Sequence, residues 1–517
     1  MNLPSHQDSY LQYIRQANPA IDSSSLSRIT AIIENTSWEN PTSSSDWNNI
    51  AVMALIEAQG HQDDSSMRSL YLEMALDALN NGYQLDGNPL CAAYLALIDS
   101  AIGETQKAIE TAFSNFITAL HLADIFTESD SQCLWYVFPS SDINIPTNWH
   151  QNTYQQALII LSEVLCRSQL VFYNAFGRRF LHLAAQVSPR SANILLQLGI
   201  SSLLGGEWEG LLYIHRAREF APKSASIVHS LYLAYRDLNQ IETAKYWLNL
   251  GKQNYEVSPS LAWQWATLPI NSKLTYINYE ADLVMAVEPS FKSIVTSVLI
   301  AQGEWFEKEM EFWRNYIKPG MTVIDVGANA GVYSFSAALK VGSEGRVLAV
   351  EPFSGCINCL QETCKINKLS WVTVCAGAAS DFDGTVKLRL HNASELNEII
   401  SSDDTSNVAF EEIPCFTLDT LMEKEQLTRV DILKIDAENH ELAVLKGSDK
   451  LLLKYAPVII YENIAGSKGS NYEVAEYLTQ HGYELYRYQP YLQNLIPVNS
   501  LEEIQGNLNL IAFPCQK

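Results

Sequence analysis

The 517-residue sequence predicts an all-helical N-terminal region followed by an α/β region with a doubly wound, mostly parallel sheet. Apolar residues recur at helical spacing from about residue 8 to residue 255. From Met321 onward, short apolar runs of strand length alternate with helical segments. The chain also exceeds the length at which one hydrophobic core stops growing. We therefore predict two domains, residues 1–265 and residues 266–517.

The helical region contains a repeated pattern. Pro189 and Pro222 lie 33 positions apart, and each begins the same order of proline, basic residue, serine and alanine. This period is typical of tetratricopeptide repeats, although Leu195 stands where those repeats carry a large aromatic residue. Stacked helical pairs need neighbours to bury their apolar faces. We predict tetratricopeptide-like pairs that bind a protein partner or associate with a second copy.

Composition disfavours two classes of partner. Acidic residues outnumber lysine and arginine by 58 to 34, and the formal charge is −24. A nucleic acid or an anionic membrane surface needs basic side chains to displace counterions, so neither is predicted as a partner. The nine cysteines are an odd number, and the N-terminus lacks a basic segment followed by an apolar one. These features predict reduced thiols and a cytoplasmic location.

The elements of the C-terminal region can be predicted in order. Alternating apolar residues predict a hairpin over Leu274–Val287, and a long apolar stripe predicts one helix over Ser293–Ile317. The runs that follow predict a strand (Val323–Val326), a loop (Gly327–Gly331), a helix (Val332–Leu339) and a second strand (Arg346–Val350). Glu307 or Glu309, in the predicted long helix, would be placed to close over a ligand bound by the loop.

The loop after the first strand indicates the type of cofactor. A dinucleotide fingerprint requires the spacing Gly-x-Gly-x-x-Gly, whereas Gly327 and Gly331 lie four residues apart. Asp325, near the strand end, would repel a pyrophosphate but attract a cationic amino group. Glu351 ends the second strand, where an acid accepts hydrogen bonds from a ribose diol. These residues favour S-adenosylmethionine over NAD; the alternative is an ordinary strand–turn–helix without a ligand.

Six blocks occur in a fixed order: KPGMTVIDVGANAGVYS, VEP, ASDFDG, FTLDTL, DILKIDAENHELAVLKG and APVIIYEN. With them, the segment from about Trp305 to Tyr461 resembles the FkbM family of S-adenosylmethionine-dependent methyltransferases. The resemblance implies a Rossmann-like domain and does not extend to the helical region. In one block the sequence departs from the family, because Glu438-Asn439-His440-Glu441 stands where the family usually has Glu-Gly-Ala-Glu.

The resemblance also implies roles for individual residues. Those that would contact the methionine, ribose or adenine parts of the cofactor are Asp325, Gly327, Asn329, Gly331, Glu351, Gly377 and Ala378. Those that would face the acceptor are Lys434, Asp436, Glu438 and Glu462.

A hydroxyl acceptor is a poor nucleophile, so we expect a base to remove its proton. The candidate catalytic residues are Asp436, His440 and Glu462. Asp436 follows a strand that should face the crevice, but it also suits the N-cap of the next helix. His440 has a suitable pKa, with packing or capping as the alternative role. His391 lies either in a substrate loop or simply on the surface.

Asp436, Glu438 and Glu462 offer oxygens of the type that hard cations prefer. Nothing in their spacing demands a metal, so none is predicted. The function indicated is O-methylation of a hydroxyl on a sugar, glycan or other small secondary metabolite. The alternative is a catalytically inactive scaffold that acts through its helical repeats.

Overall fold

The computed structural model describes residues 6–17, 19, 21–61, 64–102, 104–123, 132–136, 153–167, 175–280, 283–391, 393–400, 409–464, 469–489 and 494–515. The chain forms two compact units: residues 1–189 with 489–494, and residues 190–488 with 495–517. No helix in these described ranges is both long and apolar enough to cross a membrane.

The first unit is mainly helical in its described part. Its helices are α1 (His6–Ala17), α2 (Ser23–Asn35), α3 (Ser44–Gly60), α4 (Ser65–Asp86), α5 (Pro89–Ala101), α6 (Thr105–Ala123), α7 (Thr153–Arg167) and α8 (Ala175–Val187). Their apolar faces share one core that includes Ile14, Leu55, Leu97, Phe116 and Leu161.

An extended segment, residues 132–136, is buried among these helices, and side chains satisfy its backbone. Tyr10 Oη accepts a hydrogen bond from Trp135 N at 2.9 Å, and Asn49 Oδ1 accepts one from Leu134 N at 2.7 Å. Tyr94 Oη accepts from the next amide, Tyr136 N, at 2.7 Å. Buried amides left without partners would be costly, so these polar side chains allow a non-helical segment in the core.

The second unit begins with two helical pairs. They are α9 (Ala192–Leu204) with α10 (Gly210–Phe220), and α11 (Ala225–Asp237) with α12 (Ile241–Val257). A 3-10 helix (Leu261–Thr267) follows, and then a hairpin of β1 (Thr275–Tyr279) and β2 (Leu283–Val287), as predicted. That the pairs are tetratricopeptide-like stays a prediction.

The predicted helix over Ser293–Ile317 is wrong as a single element. The structure has α13 (Ile294–Gln302) and α14 (Glu309–Tyr316) instead. Gly303 adopts φ 75°, a left-handed conformation that ends α13 and that glycine adopts without a steric penalty.

The remaining elements build the α/β part. Its helices are α15 (Val332–Val341), α16 (Ser354–Asn367), α17 (Leu418–Lys424), α18 (Glu441–Lys446), α19 (Asp449–Tyr455) and α20 (Tyr472–Gln480). Two further 3-10 helices span Ser394–Leu396 and Leu501–Ile504. Its strands are β3 (Thr322–Val326), β4 (Arg346–Glu351), β5 (Val372–Ala376), β6 (Ala378–Ala379), β7 (Gly384–Arg389), β8 (Glu398–Ile400), β9 (Phe410–Phe416), β10 (Ile432–Ile435), β11 (Val458–Glu462), β12 (Tyr483–Gln489), β13 (Asn494–Pro497) and β14 (Asn509–Pro514).

The main sheet has the order β13-β12-β14-β11-β10-β3-β4-β5. Strands β11, β10, β3, β4 and β5 are parallel to one another, and β14 pairs antiparallel with β11 and with β12. A smaller sheet has the order β6-β9-β7-β8. The doubly wound, mostly parallel arrangement confirms the predicted Rossmann-like fold class.

The helical pairs and the α/β part belong to the same compact unit. His229 Nε2 lies 2.7 Å from Thr275 Oγ1, and its ring stacks on Trp265 at 4.4 Å. Asp237 Oδ2 accepts a hydrogen bond from Phe291 N at 2.9 Å. The predicted boundary near residue 265 marks the change from helices to strands and stays a prediction. The compact units are observed to divide near residue 189.

Candidate functional site

The order of the main sheet fixes where a ligand can bind. From β3 the chain moves outward through β4 to β5, and it later returns to the other side of β3 with β10 and β11. In such a sheet the crevice opens at the carboxyl ends of the strands where the direction reverses. The candidate site therefore lies where β3 and β10 end.

The loop after β3 passes close to the chain that follows β10. Gly327 has φ 78°, and a Cβ built on it would lie 1.7 Å from the Asp436 carbonyl oxygen. Gly331 has φ 99° and precedes α15. Both glycines are required by backbone conformation, and Gly327 also by this close approach. The loop on the β3 side and the segment after β10 are thus in direct contact.

Glu351, at the end of β4, is held by one backbone amide of the loop after β3 and by one amide of the chain that follows β4. Its Oε2 accepts a hydrogen bond from Asn329 N at 2.7 Å, and its Oε1 accepts one from Phe353 N at 2.8 Å. Burial raises the pKa of this carboxyl to about 7. Each oxygen retains a second lone pair, which is the acceptor that a ribose hydroxyl needs.

Asp325 is buried near the end of β3. Its Oδ2 accepts a hydrogen bond from Ser334 Oγ at 2.6 Å, so the first turn of α15 orients the carboxyl. Burial raises the pKa of Asp325 to about 6, opposed by the Ser334 hydrogen bond and by nearby Lys434. At neutral pH the Asp325 carboxylate carries negative charge close to the loop after β3, residues 327–331, which we call the cofactor loop.

Gly377 and Ala378, predicted to border the adenine, lie where β5 gives way to β6. Gly377 N donates a hydrogen bond to the Glu351 carbonyl oxygen at 2.9 Å. Ala378 is buried. The structure therefore places the ends of β4 and β5 beside each other, as the predicted cofactor site requires.

Lys434 is a fully buried cation on β10. Its Nζ donates hydrogen bonds to Asp436 Oδ2 at 3.0 Å and to Asn509 Oδ1 at 3.3 Å. It also lies 5.0 Å from the centre of the Tyr333 ring. Burial lowers the lysine pKa, but the negative charges of Asp436 and Glu307 outweigh it, and the pKa is raised overall. Lys434 therefore stays charged and fixes one oxygen of Asp436.

Three carboxylates lie together on this side of the crevice, and we call them the acidic cluster: Asp436, Glu438 and Glu462. One oxygen of each lies within 4.8 Å of the others. Burial, followed by repulsion from Asp436, raises the pKa of Glu438 to about 8. The same two causes raise the pKa of Glu462.

The predicted histidines lie outside the acidic cluster. His440 is the N-cap residue of α18, so the alternative role of Asp436 as that cap is wrong. His440 Nε2 lies 2.9 Å from Ser380 Oγ, and burial lowers the histidine pKa. His391 is partly exposed, and its Nε2 lies 3.7 Å from Glu398 Oε1.

Sequence reasoning missed two residues beside Lys434. Asn509 begins the antiparallel strand β14, and its Nδ2 donates to Glu307 Oε2 at 2.7 Å. Tyr333 Oη donates to the same oxygen at 2.6 Å. A polar residue at the start of an antiparallel strand lies at the same edge of the sheet as the carboxyl ends of its parallel neighbours. This pattern in the sequence could have identified Asn509.

Residues 325–485 match the model of the methyltransferase FkbM domain. This segment belongs to that domain family. It contains the cofactor loop, Glu351, Lys434 and the acidic cluster, so the resemblance predicted from the sequence is confirmed. The predicted cofactor, S-adenosylmethionine, is confirmed with it.

Several solved methyltransferase structures are similar to parts of the chain. A methyltransferase FkbM from Methylobacillus flagellatus KT is 16% identical with a TM-score of 0.26, covering 42% of this chain and 52% of its own. This chain therefore spans about half the length of that protein.

An S-adenosylmethionine-dependent methyltransferase from Aquifex aeolicus is 17% identical, with a TM-score of 0.23, and the match covers 40% of this chain and 87% of that protein. An O-methyltransferase from Thermotoga maritima is 15% identical, with a TM-score of 0.24, and the match covers 45% of this chain and 74% of that protein. No curated protein matches the chain.

Proposed function

We propose that this chain is an S-adenosylmethionine-dependent O-methyltransferase that acts on a hydroxyl of a sugar or another small secondary metabolite. The observation that carries the proposal is the contact between the two halves of the crevice. Gly327 of the cofactor loop lies against the backbone of Asp436, which begins the acidic cluster. A methyl donor on one side would meet an acceptor beside a carboxylate on the other.

The residues of the β3 and β4 side fit this cofactor. S-adenosylmethionine supplies an electrophilic methyl group on a positively charged sulfur, and it carries a second positive charge on its amino group. Asp325 and Glu351 offer carboxylates at this side, and the loop between Gly327 and Gly331 allows close backbone approach. An acidic site attracts a cationic ligand and would repel the pyrophosphate of NAD.

Asp436 is the residue of the cluster best placed to take the acceptor proton. Lys434 binds its Oδ2 at 3.0 Å, which orients the carboxylate and leaves Oδ1 for the hydroxyl. The Asp436 side chain is 32% exposed, so an acceptor can reach it. The hydroxyl oxygen then forms the new C–O bond as the C–S bond breaks, and the electron pair of that bond stays on sulfur.

His440 remains the alternative base. Its pKa is lowered, so the ring is neutral at pH 7 and able to accept a proton. Its contact with Ser380 Oγ, however, occupies Nε2. The effect of Asp436→Asn, compared with that of His440→Gln, distinguishes the two bases, because only loss of the true base lowers kcat with little change in cofactor affinity.

Calorimetric titration with S-adenosylmethionine and, separately, with NADH tests the proposal. Saturable binding of the former alone is the expected result. Transfer of a labelled methyl group to a panel of hydroxyl compounds, with matched amines as controls, then tests the preference for oxygen. Binding of NADH, or binding of neither ligand, would contradict the proposal; the second outcome would favour an inactive scaffold. The partner of the helical repeats stays a prediction.

A further inference from the structure

With all three acids ionised, the acidic cluster would hold more negative charge than its surroundings neutralise. Among the described residues, Lys434 forms an ion pair with Asp436 at 3.0 Å. Neither Glu438 nor Glu462 forms an ion pair with a lysine or arginine in the described parts of the chain. Three ionised carboxylates within 4.8 Å of one another would repel strongly in a buried site.

Glu462 provides an independent sign that the cluster binds a ligand. The residue is only 9% exposed at the end of β11, and its Oε2 is buried without a hydrogen-bond partner among the described residues. A buried carboxylate oxygen without a partner is costly, and native structures pair such atoms with a donor or a cation. The other two carboxylates of the cluster supply no donor when they are ionised.

The arrangement of the oxygens suits a small, hard cation. Magnesium, manganese and calcium bind carboxylate oxygens at roughly 2.0–2.6 Å, so ligands on opposite sides of the ion are roughly 4–5 Å apart. One oxygen each of Asp436, Glu438 and Glu462 lies within 4.8 Å of the others, so a single ion could contact all three. These acids come from the ends of β10 and β11, beside the cofactor loop of β3.

We propose that Asp436, Glu438 and Glu462 bind one divalent cation of the magnesium or manganese type. Three carboxylates leave about half of an octahedral coordination sphere for water and an acceptor. The partial exposure of Asp436 provides the route of entry. The proposal replaces the sequence prediction of no metal, because the fold joins residues whose spacing along the chain gave no ligand pattern.

The cation would also define the acceptor, a consequence that rests on the proposed methyltransferase function. An acceptor with two neighbouring oxygens, such as a vicinal diol, would bind the ion through both. The ion lowers the pKa of a bound hydroxyl, whose proton leaves to solvent. The resulting alkoxide forms the O–C bond while the C–S bond breaks, leaving a neutral thioether. With the cation bound, Asp436 would act as a ligand, and the proton that Asp436 would take in the cation-free site would leave to solvent instead.

Binding of Mn²⁺ to the cofactor-free, metal-stripped full chain tests the site directly. Calorimetry and the loss of the free Mn²⁺ electron paramagnetic resonance signal should both give one saturable site per chain. Glu462→Gln and Glu438→Gln should each weaken it by at least about 10-fold. Glu473→Gln, an exposed acid on α20, controls for weak binding to a chain of net charge −24.

The outcomes separate this inference from the proposed function. If the chain binds S-adenosylmethionine in the presence of a chelator but shows no one-to-one Mn²⁺ site, the cation site is wrong and the methyltransferase proposal stands. If Mn²⁺ binds equally to the native chain and to both folded cluster variants, the site lies elsewhere and the inference also fails. Failure to bind S-adenosylmethionine counts against the proposed function alone. Should a cluster variant not fold, the stoichiometry of the native chain still decides.

Discussion

Replacement of Gly327 by alanine should disturb both halves of the site at once. A Cβ at this position would lie 1.7 Å from the Asp436 carbonyl oxygen, whereas real Cβ contacts essentially never fall below 3.0 Å. The loop and the segment after β10 must therefore separate by more than 1 Å. Because the obstacle is backbone rather than the end of a flexible side chain, no rotamer change relieves it.

The expected magnitude combines two costs. Alanine at φ 78° costs about 1–2 kcal/mol relative to glycine, and forced displacement of packed backbone adds about 1–3 kcal/mol. The free energy of unfolding should thus fall by about 2–5 kcal/mol. A displacement of about 1 Å between donor and acceptor sites should also lower methyl transfer by about 100-fold, and S-adenosylmethionine should bind more weakly.

Gly303→Ala is the matched control. Gly303 has φ 75°, close to that of Gly327, but no atom lies within 4 Å of the position that a Cβ would take there. This variant should lose only about 1–2 kcal/mol and should keep native affinity for S-adenosylmethionine. Thermal unfolding and calorimetric titration of the two variants provide the comparison. Equal losses of stability, together with native cofactor affinity in Gly327→Ala, would refute the argument from the close contact.

Three other predictions concern charge and domain organisation. Glu309 is buried with its pKa raised to about 7, so it binds protons more tightly in the folded chain, and stability should fall as pH rises from about 4.5 to 7. Glu309→Gln should therefore increase the free energy of unfolding at pH 8 by up to about 3 kcal/mol, seen as a higher melting temperature, and should change stability little at pH 4.5. An equal effect at both pH values would contradict this. Deleting residues 1–189 should leave a folded protein that binds S-adenosylmethionine. Deleting residues 1–260 should instead cause aggregation, because this deletion exposes the surface of the second unit that the helical pairs cover. Gel filtration and calorimetry distinguish the two outcomes. Lys434→Met should destabilise the fold by about 1–3 kcal/mol, less than for a fully buried pair, because the Asp436 carboxylate that is left unpaired is partly exposed. Adding Asp436→Asn should restore part of the loss, and no recovery in thermal unfolding would argue against the ion pair.

The elements of the predicted cofactor side could be predicted because their residues are close together in the sequence. A strand, a glycine loop, a helix and a second strand ending in Glu351 occupy 29 positions, from Val323 to Glu351. Local patterns determine each of these elements, and the parallel order places the strand ends together. The surroundings of Lys434 depend instead on Glu307, which precedes α14, and Asn509, from the last strand. Only tertiary packing brings these two within hydrogen-bonding distance.

The helical region shows the same limit. Helical periodicity predicts its helices well, because each buries an apolar stripe of its own. The buried segment of residues 132–136 has no such pattern, and its amides depend on Tyr10, Asn49 and Tyr94 from distant helices. Periodicity also placed the change from helical to strand-like patterns near residue 265. The compact unit nevertheless continues back to residue 190, because contacts such as that between His229 and Thr275 join helices to strands.

The block after β10 gives the departure from the family pattern a physical meaning. Asn439 stands where the family usually has glycine, and it adopts φ 73°. Asparagine is the residue type that, after glycine, best tolerates this conformation, so the turn that presents Glu438 is retained. Glu441 stabilises it by accepting hydrogen bonds from Ala437 N at 3.0 Å and from Asn439 N at 3.2 Å.

The second change, an alanine position of the family occupied by His440, has a different consequence. An alanine side chain has no polar atom, whereas His440 reaches Ser380 Oγ at 2.9 Å and links the block after β10 to the chain after β6. The turn and its carboxylates are thus compatible with both changes, and under the proposed function the added link would shape the wall near the acceptor. We therefore expect His440→Ala to alter which acceptors are methylated, with little effect on S-adenosylmethionine affinity, measured by the same acceptor panel and by calorimetry. A large loss of cofactor affinity with unchanged acceptor preference would contradict this division between the two sides of the crevice.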